Sequence, residues 1–452
     1  MKPSSSSSDS LFAPLFSTPA VAKQLSASAW TQAMLDAEAA LAAALADAGV
    51  IPVPDAEAIA RCCTVDLFDV DDLAQRSWSA GNPVVPLVSA LTELVPGDAA
   101  RYVHKGATSQ DILDTATILV LRRASVPLLT ELDAVLAGCA ALAQRYRGTA
   151  MAGRTLGQQA VPTTFGLKAA GWLTGADAAV HRYREVVTAL PVQLGGAAGT
   201  LASLGTHGID VLDAFAHRLG LAQPVLPWHT LRGPVIEVAS ALGAVAGALG
   251  KIATDVILLA QTEIGEIAEP GGAGGSSTMP HKRNPIRTIT ALAAIRRTPG
   301  LVATLLSAMP AENERATSGW HLEWEPLREL VDLVGGAGAR LAEVVCGLSV
   351  DTDRMRDNLK LTGGLLLAEN VTTRLTPALG RLAAHELVTE LVTAAVRDDQ
   401  PLRDVLRADE RVNQRLSAEE IDAALDPNDY LGVAAGLVDR ALSAYEKGRT
   451  TQ

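Results

Sequence analysis

Apolar positions along this chain recur at helical intervals, and strand-like alternation is scarce. From near Ser28 to Ala48 an alanine-rich run reads as a helix that stops at Gly49, ahead of Pro52. Gly81-Asn82-Pro83 predicts a turn before another apolar helix. The longest candidate covers about residues 235–267. Its charged members, Glu237, Lys251, Asp255, Glu263 and Glu266, fall within an arc of roughly 120° at 3.6 residues per turn. The rest of its surface is Ala, Gly, Leu, Val and Ile, so it needs neighbours nearly all round, in a bundle core or at a subunit interface. It is expected to end at Pro270. From about residue 351 the helices become shorter and more charged, with a capping box at Ser417 and Glu420 and a stop at Asp426-Pro427-Asn428. The pattern predicts an all-α protein. Its expected parts are a disordered tail over 1–10, an N-terminal helical domain over 11–103, a central helical bundle over 104–350 and a C-terminal helical domain over 351–452.

Composition sharpens that picture. A chain of 452 residues is too long for one core. With 48% hydrophobic residues and few aromatics, the core must be built from Ala, Leu and Val, which favours helices. A net charge of −12 argues against nucleic acid as a partner. It leaves room for an anionic substrate, because screening over roughly 8 Å lets a local basic cluster outweigh distant acids. Cys62, Cys63, Cys139 and Cys346 show no paired metal-binding spacing and read as buried thiols of a reducing compartment. Nothing near Ser4 to Ser8 resembles a signal peptide, and no run of 18 or more apolar residues occurs, so a cytoplasmic chain without a membrane span is expected.

The chemistry concentrates in residues 274–285, Gly-Gly-Ser-Ser-Thr-Met-Pro-His-Lys-Arg-Asn-Pro. Ser276 and Ser277 lie between glycines and a proline-braced basic pair, Lys282 and Arg283. A hydroxyl is a poor base unless neighbouring charge and backbone N–H groups stabilise its alkoxide, and a loop carrying both can do so. This is no phosphate-cradling loop, since Lys282 is followed by Arg283 rather than Ser or Thr.

Four other segments join it. His104-Lys105-Gly106-Ala107-Thr108-Ser109-Gln110-Asp111 precedes a helical pattern that runs to Arg123. Thr108 or Ser109 caps that helix, and a helix N-terminus with hydroxyls is also a ready carboxylate site; both readings can hold at once. Gly153 to Pro162 enters a helix carrying Lys168 and Trp172. Within it, Arg154 either forks onto a substrate carboxylate or ties the loop down, and Gln159 is the binding candidate. Pro227 to Arg232 and Glu312 to Trp324 supply Arg232 and Arg315 as candidate anion clamps, with salt bridges as the commoner fate of arginine. His229 and His321 read as packed or capping residues in the absence of a partner.

Together these segments resemble the fumarase/aspartase superfamily and, within it, the bacterial 3-carboxy-cis,cis-muconate cycloisomerases. The superfamily loop alone does not choose the family. The Arg154-to-Trp172 segment, Trp228-His229-Thr230 and the Trp320-to-Trp324 segment do. The resemblance covers nearly the whole chain, from Gly81 to Tyr430-Leu431-Gly432. It implies three helical domains, a central bundle that assembles into a homotetramer, and active sites built from three subunits. By the same carry-over Ser276 is the catalytic serine. Thr108, Ser109, Lys282 and Asn284 hold substrate carboxylates, and His104 lies near the site. Lys105, Ser277, Met279, Arg154, Gln159 and Arg315 complete the expected substrate contacts, and neither a metal nor an organic cofactor is implied.

Amine-expelling members of that superfamily commonly carry Thr-His where this chain has Thr155-Leu156. A carboxylate leaving group, with a pKa near 4, needs no proton at neutral pH. Leu156 therefore fits reversible intramolecular lactonisation, in which one carboxylate adds to the conjugated double bond and charge builds on the carbon beside another. Lys282 and the glycine-rich loop would stabilise that charge, and Ser276 would deliver the proton. Three departures, Lys105 in place of an aromatic, Gln159 where some relatives carry histidine and Asn313 in place of a frequent histidine, fit equally a sister lyase that expels nitrite from a succinate-like acid. A non-catalytic helical protein is the remaining alternative, opposed by retention of Ser276, Lys282 and Asn284.

Overall fold

The structure, a computed structural model, describes residues 11–272, 279 and 281–450. The expected tail over 1–10 and the serines Ser276 and Ser277 lie outside the described residues. Six helices exceed twenty residues among those described: α1 (Ala27–Asp47), α2 (Ser109–Arg145), α3 (Phe165–Thr188), α4 (Gly233–Leu259), α5 (Ile286–Ser307) and α6 (Gly319–Gly347). The fold is all-α, as the pattern predicts. Among the described residues strands are confined to two antiparallel pairs, the hairpin β1 (Ala150–Thr155) with β2 (Gln158–Thr164), and the short pair β3 (Ile267–Ala268) with β4 (Ser349–Val350).

Two compact units divide the chain. The first draws on residues up to Asp133, on Ala178–Gly250 and on Thr290–Arg340; the second on Ala134–Asp177, Lys251–Ile289 and the residues from Leu341 onward. In the first, α1 starts where Ser26 Oγ accepts the Ala29 N–H and packs on the helices Val53–Cys62 and Gly208–Leu219. It buries Leu35, Leu41 and Leu45, each stabilising by roughly 1.5–3 kcal/mol relative to exposure. In the second, Leu367, Val371, Leu375, Leu402, Leu406 and Ile421 form a continuous core that Ala152 of β1 joins.

Two expectations need correction. The helix expected over 235–267, α4, ends at Leu259 rather than Pro270, and at 27 residues it is shorter than α2 at 37. Gly265 turns the chain at φ 61, and Glu266 passes into β3, so Glu263 and Glu266 leave the helical stripe. The segment around Arg154 is a β-hairpin, not a plain entry to α3. Its tip, Leu156 at φ 51 and Gly157 at φ 80, is the two-residue left-handed connection that matches strand twist, which is why glycine stands there. By length and composition α2, α4 and α5 are each apolar enough to cross a membrane, although none carries 18 consecutive apolar residues. Half or less of the most apolar stretch of each is buried within the chain.

Candidate active site

The first group of expected site residues gathers at the amino end of α2, inside the first unit. Gly106 makes the approach possible: it sits at φ 85, and a Cβ there would meet Leu204 at 2.5 Å. Asp111, fully buried, organises the turn. Its Oδ2 accepts the Thr108 and Gly196 N–H groups, both at 2.9 Å. Its Oδ1 accepts the Gly195 N–H at 2.9 Å and lies 2.6 Å from His229 Nε2. A carboxylate offers about four acceptor sites, so Asp111 is saturated and His229 must donate from Nε2. The Thr108–Asp111 bond is half of a capping box and makes Thr108 the residue flanking the helix. Among the described residues the Thr108 and Ser109 hydroxyls have no partner, so both remain for a ligand at a helix N-terminus.

Cations surround this cradle. His104, at φ 58, sets Nδ1 at 2.6 Å from Glu38 Oε1, and Glu38 is 1% exposed. Burial opposes charge on the imidazole, but the Glu38 hydrogen bond and the charges of Glu38 and Asp111 outweigh it and hold its pKa above the ordinary histidine range. Lys105 makes no side-chain ion pair among the described residues. Arg315 donates to Gln110 Oε1 at 3.2 Å and to the Gly196 and Ala197 carbonyls at 3.2 and 2.9 Å. It has no carboxylate partner among the described residues, so its charge is not neutralised. Asn313, at φ 52, tolerates the left-handed turn ahead of it.

Arg232 behaves oppositely and is no anion clamp. It is 3% exposed, and Asp114, Glu323 and the Trp228 carbonyl take up all five of its N–H groups. Burial works against its charge, yet the two carboxylates outweigh that and raise its pKa. Trp320 Nε1 also donates to Asp114, at 3.0 Å. His229 is the packed residue that sequence reasoning favoured. His321 is exposed, with Nε2 at 3.0 Å from the Gly81 carbonyl.

The second group lies in the second unit. Arg154 and Gln159 face each other across β1 and β2. Arg154 forks onto the buried Glu266 at 3.0 and 2.7 Å, which is the loop-tying alternative. Gln159 donates to the Asn358 carbonyl at 3.1 Å while its Oε1 stays buried without a partner among the described residues. Asn358 completes the knot by donating to Glu266 at 2.8 Å. Nearby in this unit, Asp255 accepts from Trp172 Nε1 and Lys251 Nζ, both at 2.7 Å, with Lys168 at 3.9 Å. Leu156, at the hairpin tip, is fully exposed. Met279, Lys282 and Asn284 precede α5, where the Lys282 N–H donates to the Met279 carbonyl at 3.1 Å and the Lys282 side chain is exposed.

Glu38, Asp111, Glu266 and Asn358 escaped sequence reasoning as site-organising residues. A signal for the first existed: Glu38 is followed by the apolar run Ala39 to Ala46 on an alanine-rich helix, and acids are almost never fully buried unless paired. Among the described residues no cluster of His, Cys, Asp and Glu could hold a metal.

On an all-helical scaffold, hydroxyls at a helix N-terminus beside Arg315, which has no carboxylate partner among the described residues, make a cradle chemically able to hold a small anion. The sequence matches the family described as Lyase over residues 16–298 and the one described as Adenylosuccinate lyase C-terminus over residues 364–441. It is 49% identical to the 3-carboxy-cis,cis-muconate cycloisomerase of Pseudomonas aeruginosa, over 92% of each chain. It is 47% identical to the nitrosuccinate lyase of Streptomyces davaonensis, over 97% of this chain and 95% of that one. The crystal structure of the 3-carboxy-cis,cis-muconate lactonizing enzyme from Pseudomonas putida superposes with a TM-score of 0.90 at 42% identity, covering 97% and 99% of the two chains. The chain belongs to this lyase family of the fumarase/aspartase superfamily, among the 3-carboxy-cis,cis-muconate cycloisomerases and their sister lyases, and is an enzyme of that lyase or cycloisomerase type.

Proposed function

We propose that the protein is a 3-carboxy-cis,cis-muconate cycloisomerase, closing its substrate reversibly to 4-carboxymuconolactone. The observation that carries the reading is Leu156, an exposed leucine at the hairpin tip where amine-expelling relatives present a histidine. The leaving group in the reverse reaction is a carboxylate, which departs without a proton. The hydroxyls of Thr108 and Ser109, with His104 and Arg315, bind substrate carboxylates at the amino end of α2, and Lys282 and Asn284 bind another. Lys105, Ser277, Met279 and Gln159 line the remaining subsites, while Arg154, forked onto Glu266, ties the hairpin down. Ser276 transfers the proton at the carbon beside a bound carboxylate, while Lys282 and backbone N–H groups hold the charge that develops there. The protein's chief contribution is to fold the diene into an attacking geometry.

The working unit is a homotetramer in which each site collects residues from three protomers and the chain divides functionally at 11–103, 104–350 and 351–452. The exposed stripe of α4 supports this assembly. Glu237, Ser240, Ala244, Gly247, Lys251, Thr254 and Leu258 recur every three or four positions, and their mostly small side chains admit a neighbouring helix. The apolar faces of α2, α4 and α5 then pack against other protomers in a cytoplasmic enzyme.

A second reading is favoured by the 47% identity with a nitrosuccinate lyase. Nitrite, like carboxylate, leaves unprotonated, so Leu156 suits both. One experiment separates them. Mixed with 3-carboxy-cis,cis-muconate in the presence of a chelator, the protein should abolish the diene absorbance, and Ser276→Ala should not. Nitrite release from nitrosuccinate without loss of diene would transfer the assignment to the lyase. Inertness toward both would refute catalysis of either kind.

A further inference from the structure

We propose that Glu38 is a positioning residue of the active site: it grips the His104 imidazole through Nδ1 and directs Nε2 onto a substrate carboxylate held at the amino end of α2. The inference rests on the carboxylate-binding reading above and deepens it.

Three observations converge. The 2.6 Å contact between Nδ1 and Glu38 Oε1 makes Nδ1 a donor, since a carboxylate can only accept, and on the charged imidazole that this pairing favours Nε2 is a donor as well. The second Glu38 oxygen is buried with no partner among the described residues, so the imidazole is the one group there that answers this charge. A buried carboxylate is costly unless paired, and a pair at a cradle for anions is where such a group is expected. Finally, His104 is held in the left-handed region at φ 58, which constrains its backbone, while Glu38 anchors the ring at Nδ1. Its imidazole is 19% exposed, and Nε2 has no partner among the described residues.

The surrounding charges agree. From α1 comes Glu38. From α2 comes Asp111, which already holds His229 and also favours a charged imidazole. Beside them, burial pushes the Cys63 thiol well up, so it stays neutral and does not compete for Glu38. Asp36 of α1 is paired with Arg123. Glu38 therefore works through His104 without touching substrate, as outer partners of functional histidines do.

The test is Glu38→Gln, with Glu38→Asp as the conservative variant, in full-length protein labelled with 15N-histidine and assigned by His104→Gln. Without any substrate, Glu38→Gln should move the His104 titration down toward the ordinary imidazole range, and Glu38→Asp should restore part of it. In turnover, KM should rise about tenfold or more with a smaller fall in kcat, the loss expected for one charge-assisted hydrogen bond. The basic limb of kcat/KM should shift to lower pH. Combined with His104→Gln, the Glu38→Gln change should add little further. Tricarballylate, a stable tricarboxylate, gives a readout that needs no turnover: it should displace the His104 Nε2 signal, and less so in Glu38→Gln. Displacement in a protein that turns over neither candidate substrate would refute the proposed reactions and uphold the positioning role. An unmoved His104 titration, additive kinetics in the double variant, or no displacement by tricarballylate overturns the inference.

Discussion

The turn ahead of α2 and the β1–β2 hairpin each centre on a fully buried carboxylate, and they treat cations in opposite ways. Asp111 is satisfied by three backbone N–H groups and a histidine donor, so Arg315 is left with only carbonyl and amide oxygens for company. Glu266 is satisfied by the Arg154 fork and Asn358, which neutralises that arginine. The same residue type is therefore left without a carboxylate partner among the described residues in one region and is tied into the fold in the other. What decides is not the arginine but how its neighbouring carboxylate meets its own needs. Arg232 makes the point from within the first unit, since two acids and the Trp228 carbonyl there take every donor it has.

Breaking both carboxylates should separate the regions most sharply. Asp111→Ala strands three N–H groups and a buried histidine and should cost roughly 3–5 kcal/mol in urea unfolding, the range for uncoupling a buried charged group. Glu266→Ala should cost less, about 2 kcal/mol by the same measurement, because the Arg154 side chain is 20% exposed and can reach water. Equal losses would mean that both hubs are structural in the same degree.

Next in size is Arg315→Met. Its guanidinium carries an unneutralised charge, so its removal should raise KM on the order of tenfold with little change in unfolding midpoint. A stability loss without a KM effect would put Arg315 in the same class as Arg154.

The smallest effect concerns pH. His104 has a folded pKa raised above its unfolded value near 6.5, so its stabilising contribution is complete below about pH 6.5 and fades as pH rises through the raised value. Unfolding measured at pH 6 and at pH 9 should show this loss in the native protein, and Glu38→Gln should remove His104's share of the difference.

Local pattern was enough to determine the all-α class, the α1 boundaries, the turn at Gly81 and the capping box at Ser417, because helix stops and caps depend on residues within a few positions of one another. The candidate anion-binding segment from His104 to Ser109 was also legible, since a turn and a helix N-terminus are adjacent in sequence. The hairpin was not. Ala150 to Thr164 lacks clean alternation, and its strands are held by cross-strand bonds and by Glu266 and Asn358, more than a hundred positions away. Nor could sequence distinguish Arg315 from Arg232 and Arg154. Whether an arginine is free to meet an anion depends on which carboxylates lie within hydrogen-bonding reach, and that is a property of three-dimensional proximity alone.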